Sequence, residues 1–198
     1  MRKRTGEARE NRHVRGRPGG TGGSSRGVAL AEEDLIAEVE SGKISFVLIL
    51  DCVQDPHNLG AILRTADGAG VQAVIVPKDK SAGITDTVRR ISVGAADTVP
   101  FVRVTNLSRS MKSLQKAGMW LVGTSDKAEK SLFETSLKGC LGVVIGAEGD
   151  GLRRLTEEAC DFLVKLPMRG QVPCLNASVA TGVCLYEAVR QRTEVTEG

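Results

Sequence analysis

Aromatic side chains, histidines and nucleotide signatures are what this chain has least of. Its 198 residues hold one Trp, one Tyr and four Phe, so stacking bases on rings is not a main device for a nucleic-acid partner. Only His13 and His57 are present, too few for a His-rich metal centre and poorly suited to a Ser-His-Asp constellation. Five cysteines (Cys52, Cys140, Cys160, Cys174, Cys184) form no CxxC pair. That reads as reduced thiols rather than a disulfide framework or a zinc site, and no metal is expected. The first apolar strand is followed by DCVQDPHNLG instead of GxGxxG, and GxxxxGK[ST] occurs nowhere, which argues against a dinucleotide fold and a P-loop. No apolar run approaches the roughly 18 residues of a membrane span. The polar, basic N-terminus lacks the apolar core of a secretory leader, so the expected compartment is the cytoplasm.

What is present is uneven in charge. Residues 1–30 carry eight Lys/Arg against two Glu, leaving 19 Lys/Arg against 22 Asp/Glu in the rest of a chain with formal net charge +3. A basic stretch of this kind suits a polyanion such as RNA, and equally a solubilising tail. Residues 1–27, with RGRPGGTGGSSRG at their centre, are too rich in Gly, Arg and Ser to bury a core and are expected to be disordered.

A short acidic helix is expected over 31–40, and from residue 44 apolar strands alternate with helices. Strands are expected over 46–50, 72–76, 99–104, 119–123, 141–145 and 162–166. Helices fall over 58–69, 86–95, 106–117, 152–159 and 176–192. That order specifies an α/β fold with a mostly parallel sheet flanked by helices. Two regions follow: a basic tail and linker over 1–43 and one domain over 44–198.

The candidate site is spread over three places. In the first helix Leu59, Ile62, Leu63, Ala66 and Ala69 make a buried stripe. Asn58 sits at a capping position just before it, and Arg64 projects off it. The Gly-rich loop 146–151 (GAEGDG) follows the fifth strand. After the last strand, Pro167, Gly170 and Pro173 forbid regular structure before a helix rich in Ala, Ser, Thr and Gly. Loops between strand and helix are where an α/β protein binds ligands.

Taken together, NLGAILRTADGAG, VVIGAEGDGLRR and LPMRGQVPCLNASVATGVCLYEAV make the chain resemble the SpoU/TrmH family of SPOUT RNA methyltransferases. Within that family the likeness is to the RlmB-like branch, which methylates a guanosine ribose in large-subunit ribosomal RNA. The resemblance implies a C-terminal trefoil knot, S-adenosylmethionine as cofactor, and RNA 2′-O-ribose methylation. It implies Arg64, Asn58, Glu148 and Asn176 as the catalytic set. The cofactor would be held by Thr124, Ser125, Gly146, Ala147, Glu148, Gly149, Leu166, Met168, Leu175 and Ser178. It also implies a homodimer through the C-terminal helix; the small residues Ala177, Ala180, Thr181 and Gly182 fit close helix packing there, and an intramolecular contact would explain them equally well. A transfer-RNA methyltransferase of the same family would need the same motifs, whereas a non-catalytic RNA-binding or ribosome-assembly protein on the same scaffold is disfavoured by the retained Asn58, Arg64, Glu148 and Asn176.

The sequence departs from the family at two points. Cys174 stands where the family has Ser, and a thiol is the weaker hydrogen-bond partner. The folded RNA-binding domain that precedes the catalytic domain in RlmB-like enzymes is not matched, so either the chain is a truncated form or the Arg-rich stretch contacts phosphates in its place.

Overall fold

Three segments run apolar without alternation, FVLIL, AVIVP and LGVVI, and every residue of each is buried. Such runs belong to strands covered on both faces, the signature of a parallel sheet. The computed structural model describes residues 30–193, so the basic tail expected over 1–27 lies outside the described residues. The first half forms α1 (Glu32–Glu40), β1 (Phe46–Leu50), α2 (Pro56–Gly68), β2 (Ala73–Pro77), α3 (Asp86–Ser92), α4 (Ala95–Thr98) and β3 (Phe101–Val104). The second half adds α5 (Leu107–Lys116), β4 (Trp120–Thr124), a 3-10 turn (Leu132–Glu134) and β5 (Leu141–Ile145). It closes with α6 (Arg154–Glu157), β6 (Phe162–Val164) and α7 (Ala177–Thr193).

The sheet has the order β3-β2-β1-β5-β4-β6, and its strand pairs are parallel. Neighbouring residues of a strand part to opposite faces. Leu48 and Leu50 join Leu59, Ile62 and Leu63 of α2 and Cys184, Leu185 and Ala188 of α7. Val47 and Ile49 join Leu35 and Val39 of α1 and Met111 and Leu114 of α5. Each fully buried Leu or Ile stabilises by about 1.5–3 kcal/mol, so both helix layers are held firmly to the sheet. The chain winds outward from β1 to β3, returns beyond β1, and inserts β5 between β1 and β4. A reversal of winding opens a crevice outside the carboxyl ends of the strands, where open α/β sheets take ligands.

The α/β architecture expected from the sequence is present, with local differences. The helix expected over 86–95 is broken: Val93 takes a left-handed φ of 52°, Gly94 follows at 97°, and α4 starts afresh. Left-handed backbone is costly for a β-branched residue, and tertiary ties hold it there. Arg89 pairs with Asp97, and Thr98 Oγ1 donates to Asp67 at 2.7 Å, folding α4 back onto α2. Asn58 does not cap α2. Asp55 does, accepting from the His57 N–H at 2.9 Å, with Pro56 in the first turn. That bond holds the Asp55 carboxyl below its usual range. The helix expected over 152–159 shrinks to α6, and β6 ends at Val164.

Candidate active site

Three loops leave the carboxyl ends of β4, β5 and β6 and enclose a cavity of about 230 Å³. Thr124 and Ser125 come from the first. Gly146, Ala147, Glu148 and Gly149 come from the second, and Leu166, Met168 and Leu175 from the third, so nine of the ten residues assigned to the cofactor line it. The tenth, Ser178, is not on the wall. Its N–H and hydroxyl donate to Asn176 Oδ1 at 2.9 and 2.6 Å, making Asn176 the cap of α7.

Capping α7 fixes which way Asn176 faces. With Oδ1 turned to Ser178, its Nδ2 donates to Asn58 Oδ1 at 3.0 Å and to Glu148 Oε2 at 3.4 Å. Asn58 Nδ2 donates to the same Glu148 oxygen at 3.2 Å. One residue from each of the three sequence motifs thus joins a closed polar ring, and Glu148 belongs to both ring and cavity wall. Arg64 stands apart. Six residues on from Asn58, it sits about 9 Å along α2 and about 120° around it. It is exposed and makes no hydrogen bond or ion pair among the described residues.

Several wall residues were not anticipated. Asp126, Asp150 and Glu157 join Glu148 around the cavity, against Lys127, and Ser125 Oγ donates to Glu157 at 3.0 Å. Behind the wall, fully buried Asp51 pairs with Arg153 at 2.6 Å. The only hint of Asp51 in the sequence was a charge placed directly after five apolar residues. Among the described residues no group of three or more His, Cys, Asp or Glu is placed to hold a metal ion, and no helix is long and apolar enough to cross a membrane.

Cys174 lines the cavity and is exposed. The Cys184 thiol is pushed up to about 12 by burial, and Cys160 to about 12 by burial beside Asp161 and Glu157. Only thiolates alkylate readily. Brief iodoacetamide treatment of the folded protein at about pH 8 is expected to label Cys174 and spare Cys160 and Cys184, as read by peptide mass spectrometry. Modified Cys184 with Cys174 untouched would contradict this placement of the loop.

Sheet, cavity and ring define the class: a parallel α/β protein whose candidate ligand cavity is walled by the loops of its C-terminal half, not by a phosphate loop after the first strand. The chain belongs to the SpoU rRNA Methylase family, whose profile matches residues 45–186. It is 59% identical over 160 residues to the 23S rRNA (guanosine-2′-O-)-methyltransferase RlmB of Vibrio cholerae, covering 81% of this chain and 64% of the relative. To the RlmB of Xanthomonas campestris pv. campestris it is 60% identical over 163 residues, 82% of this chain and 66% of the relative. It therefore spans slightly less than two thirds of these relatives. Among solved structures, the SpoU methyltransferase AviRb from Streptomyces viridochromogenes in complex with AdoMet superposes with a TM-score of 0.71 at 31% identity, over 76% of this chain and 62% of that one. The A. aeolicus TrmH/SpoU tRNA modifying enzyme gives 0.70 at 28%, over 83% and 86%.

Proposed function

We propose that this chain is an S-adenosylmethionine-dependent RNA 2′-O-ribose methyltransferase, acting on a guanosine of large-subunit (23S-type) ribosomal RNA in the cytoplasm. The observation that carries this reading is the Asn58–Glu148–Asn176 ring beside a cavity of suitable chemistry. Asp126, Glu148, Asp150 and Glu157 give the wall an excess of negative charge over Lys127, which suits a sulfonium and an ammonium. Leu166, Met168 and Leu175 offer apolar surface, and the backbone of 146–149 can read a purine edge. The identity to the RlmB relatives supports the guanosine and the ribosomal RNA.

S-adenosylmethionine would supply the methyl group, carried on a sulfonium that leaves as a neutral thioether. The chain must align a ribose hydroxyl with it and help that hydroxyl lose its proton. A guanidinium has a pKa above ~12 and is a poor base. Arg64 therefore holds a phosphate and the attacking oxygen and does not itself take the proton. The ring fixes Glu148, and with it the loop against the cofactor.

In one chain Arg64 is remote from the ring, which fits an active site completed by a second copy. Val179 and Tyr186 lie seven residues apart on one face of α7 and stay 51% and 53% exposed. That stripe is the surface for a homodimer, and the threaded loop of a trefoil knot would lead into it. A transfer-RNA substrate is the second reading, favoured by the A. aeolicus tRNA modifying enzyme, of which the chain covers 86%.

The test is incubation with methyl-labelled S-adenosylmethionine and, separately, unmodified 23S ribosomal RNA and transfer RNA, followed by mapping of ribose methylation. Label on a 23S guanosine is the expected outcome. Label on transfer RNA alone would move the substrate. Cofactor binding without transfer to either would make the chain a non-catalytic RNA-binding protein.

A further inference from the structure

Asp51 follows β1 and is fully buried, yet it belongs neither to the ring nor to the cavity wall. A carboxylate removed from water needs close partners, and its ion-pair and backbone partners all lie at the ends of one loop. Its N–H donates to the carbonyl of Ile145 at 2.8 Å, immediately before that loop. Its carboxylate accepts from the Arg153 backbone N–H at 2.9 Å and from Nε at 2.7 Å, and Nη2 lies 2.6 Å from Oδ1 as an ion pair, immediately after it. Inside the segment, Ala147 and Gly151 exchange two backbone bonds of 3.0 Å. The loop is thus a small closed hairpin clamped at its base by one residue. Glu148 is the member of this hairpin that reaches Asn58 and Asn176.

We propose that Asp51, through Arg153, is a positioning residue that sets the hairpin 146–152 against the cofactor and keeps Glu148 in register with Asn58 and Asn176. The proposal rests on the methyltransferase reading for its functional consequence, while the clamp itself does not. The guanidinium matters because its plane sets Nε and Nη2 together against the one oxygen Oδ1 while Oδ2 takes the backbone N–H, and an ammonium cannot do so. A shift of about 1 Å in a group that aligns reactants costs roughly a hundredfold in rate, so a loosened hairpin acts on catalysis without touching a reacting atom.

The test compares Asp51→Asn, Arg153→Met and Arg153→Lys with the wild type. Arg153 is partly exposed, so its variants remain informative if Asp51→Asn fails to fold. Amide exchange is followed without cofactor, and S-adenosylmethionine affinity and kcat/KM are measured alongside. In Asp51→Asn and Arg153→Met, the Ala147 and Gly151 amides are expected to exchange at least about tenfold faster, with Val143 and Val144 unchanged, as for a local opening. Cofactor affinity should fall with them and kcat/KM should drop roughly a hundredfold. Arg153→Lys should recover part of both. Unchanged exchange at Ala147 and Gly151 would overturn the clamp. Faster exchange with unaltered affinity and kcat/KM would overturn its role in positioning. If the wild type binds no S-adenosylmethionine, the functional reading fails, and the exchange comparison still decides the clamp.

Discussion

Arg64→Ala is expected to reduce methyl transfer by about 10²–10³-fold, the cost of removing one preorganised donor from a reaction that develops charge. The loss should appear in kcat/KM for RNA, with S-adenosylmethionine affinity within about twofold of the wild type, because a residue that holds the RNA phosphate and the attacking oxygen leaves the cofactor cavity alone. Stability should change by no more than about 0.5 kcal/mol, the usual limit for an exposed side chain with no special partner. The prediction follows from an asymmetry within α2. Asn58 is held by Glu148 and Asn176, whereas Arg64 is exposed and tied to nothing among the described residues. A solvated surface Arg would predict no effect. Arg64→Lys separates the possibilities further, since it keeps the charge and loses the planar fork. Single-turnover transfer and equilibrium binding on the same preparations check both halves. An Arg64→Ala protein that loses cofactor binding in parallel would show that Arg64 serves the cavity and not the RNA.

The fold was legible where the sequence states its burial locally. Continuous apolar runs such as FVLIL and LGVVI leave little choice but strands covered on both faces, and the stripe from Leu59 to Ala69 is buried throughout. What could not be read was anything fixed by distant partners. Nothing in an apolar run says which neighbour a parallel strand will take, so the insertion of β5 between β1 and β4 was hidden. The break at Val93 was invisible because its left-handed backbone is held by the Arg89–Asp97 and Thr98–Asp67 contacts.

The candidate site divides in the same way. Asn58 has the right chemistry for a cap and lies near the helix start, and only the structure shows Asp55 in that position and Asn58 free to reach residues 90 and 118 positions away. Asp51 and Arg153 lie 102 residues apart, each ordinary alone. Periodicity never pointed to the ring. The three motifs lie far apart in the chain, and their meeting in space is a property of the fold.

Gly146→Ala is expected to abolish cofactor binding while leaving most of the fold intact. A Cβ at Gly146 would lie 2.2 Å from the carbonyl carbon of Gly151, 2.3 Å from its oxygen and 2.5 Å from the Leu152 nitrogen. All three are backbone atoms, so no side chain can rotate away, and the hairpin itself must open. The cost in stability should be about 1–3 kcal/mol, as for other overpacked sites, because the strain can be relieved by giving up the Ala147–Gly151 bridge. Relief by that route carries Glu148 away from Asn58 and Asn176 and removes one side of the cavity. Gly149→Ala is the matched control on the same loop. Its Cβ would meet nothing within 4 Å, and only its φ of +86° opposes the change, a cost of about 1–2 kcal/mol. Calorimetric titration with S-adenosylmethionine should therefore show binding lost in Gly146→Ala and weakened in Gly149→Ala, with thermal melts of both still cooperative. Wild-type affinity in Gly146→Ala would mean that the hairpin is not the wall that holds the cofactor.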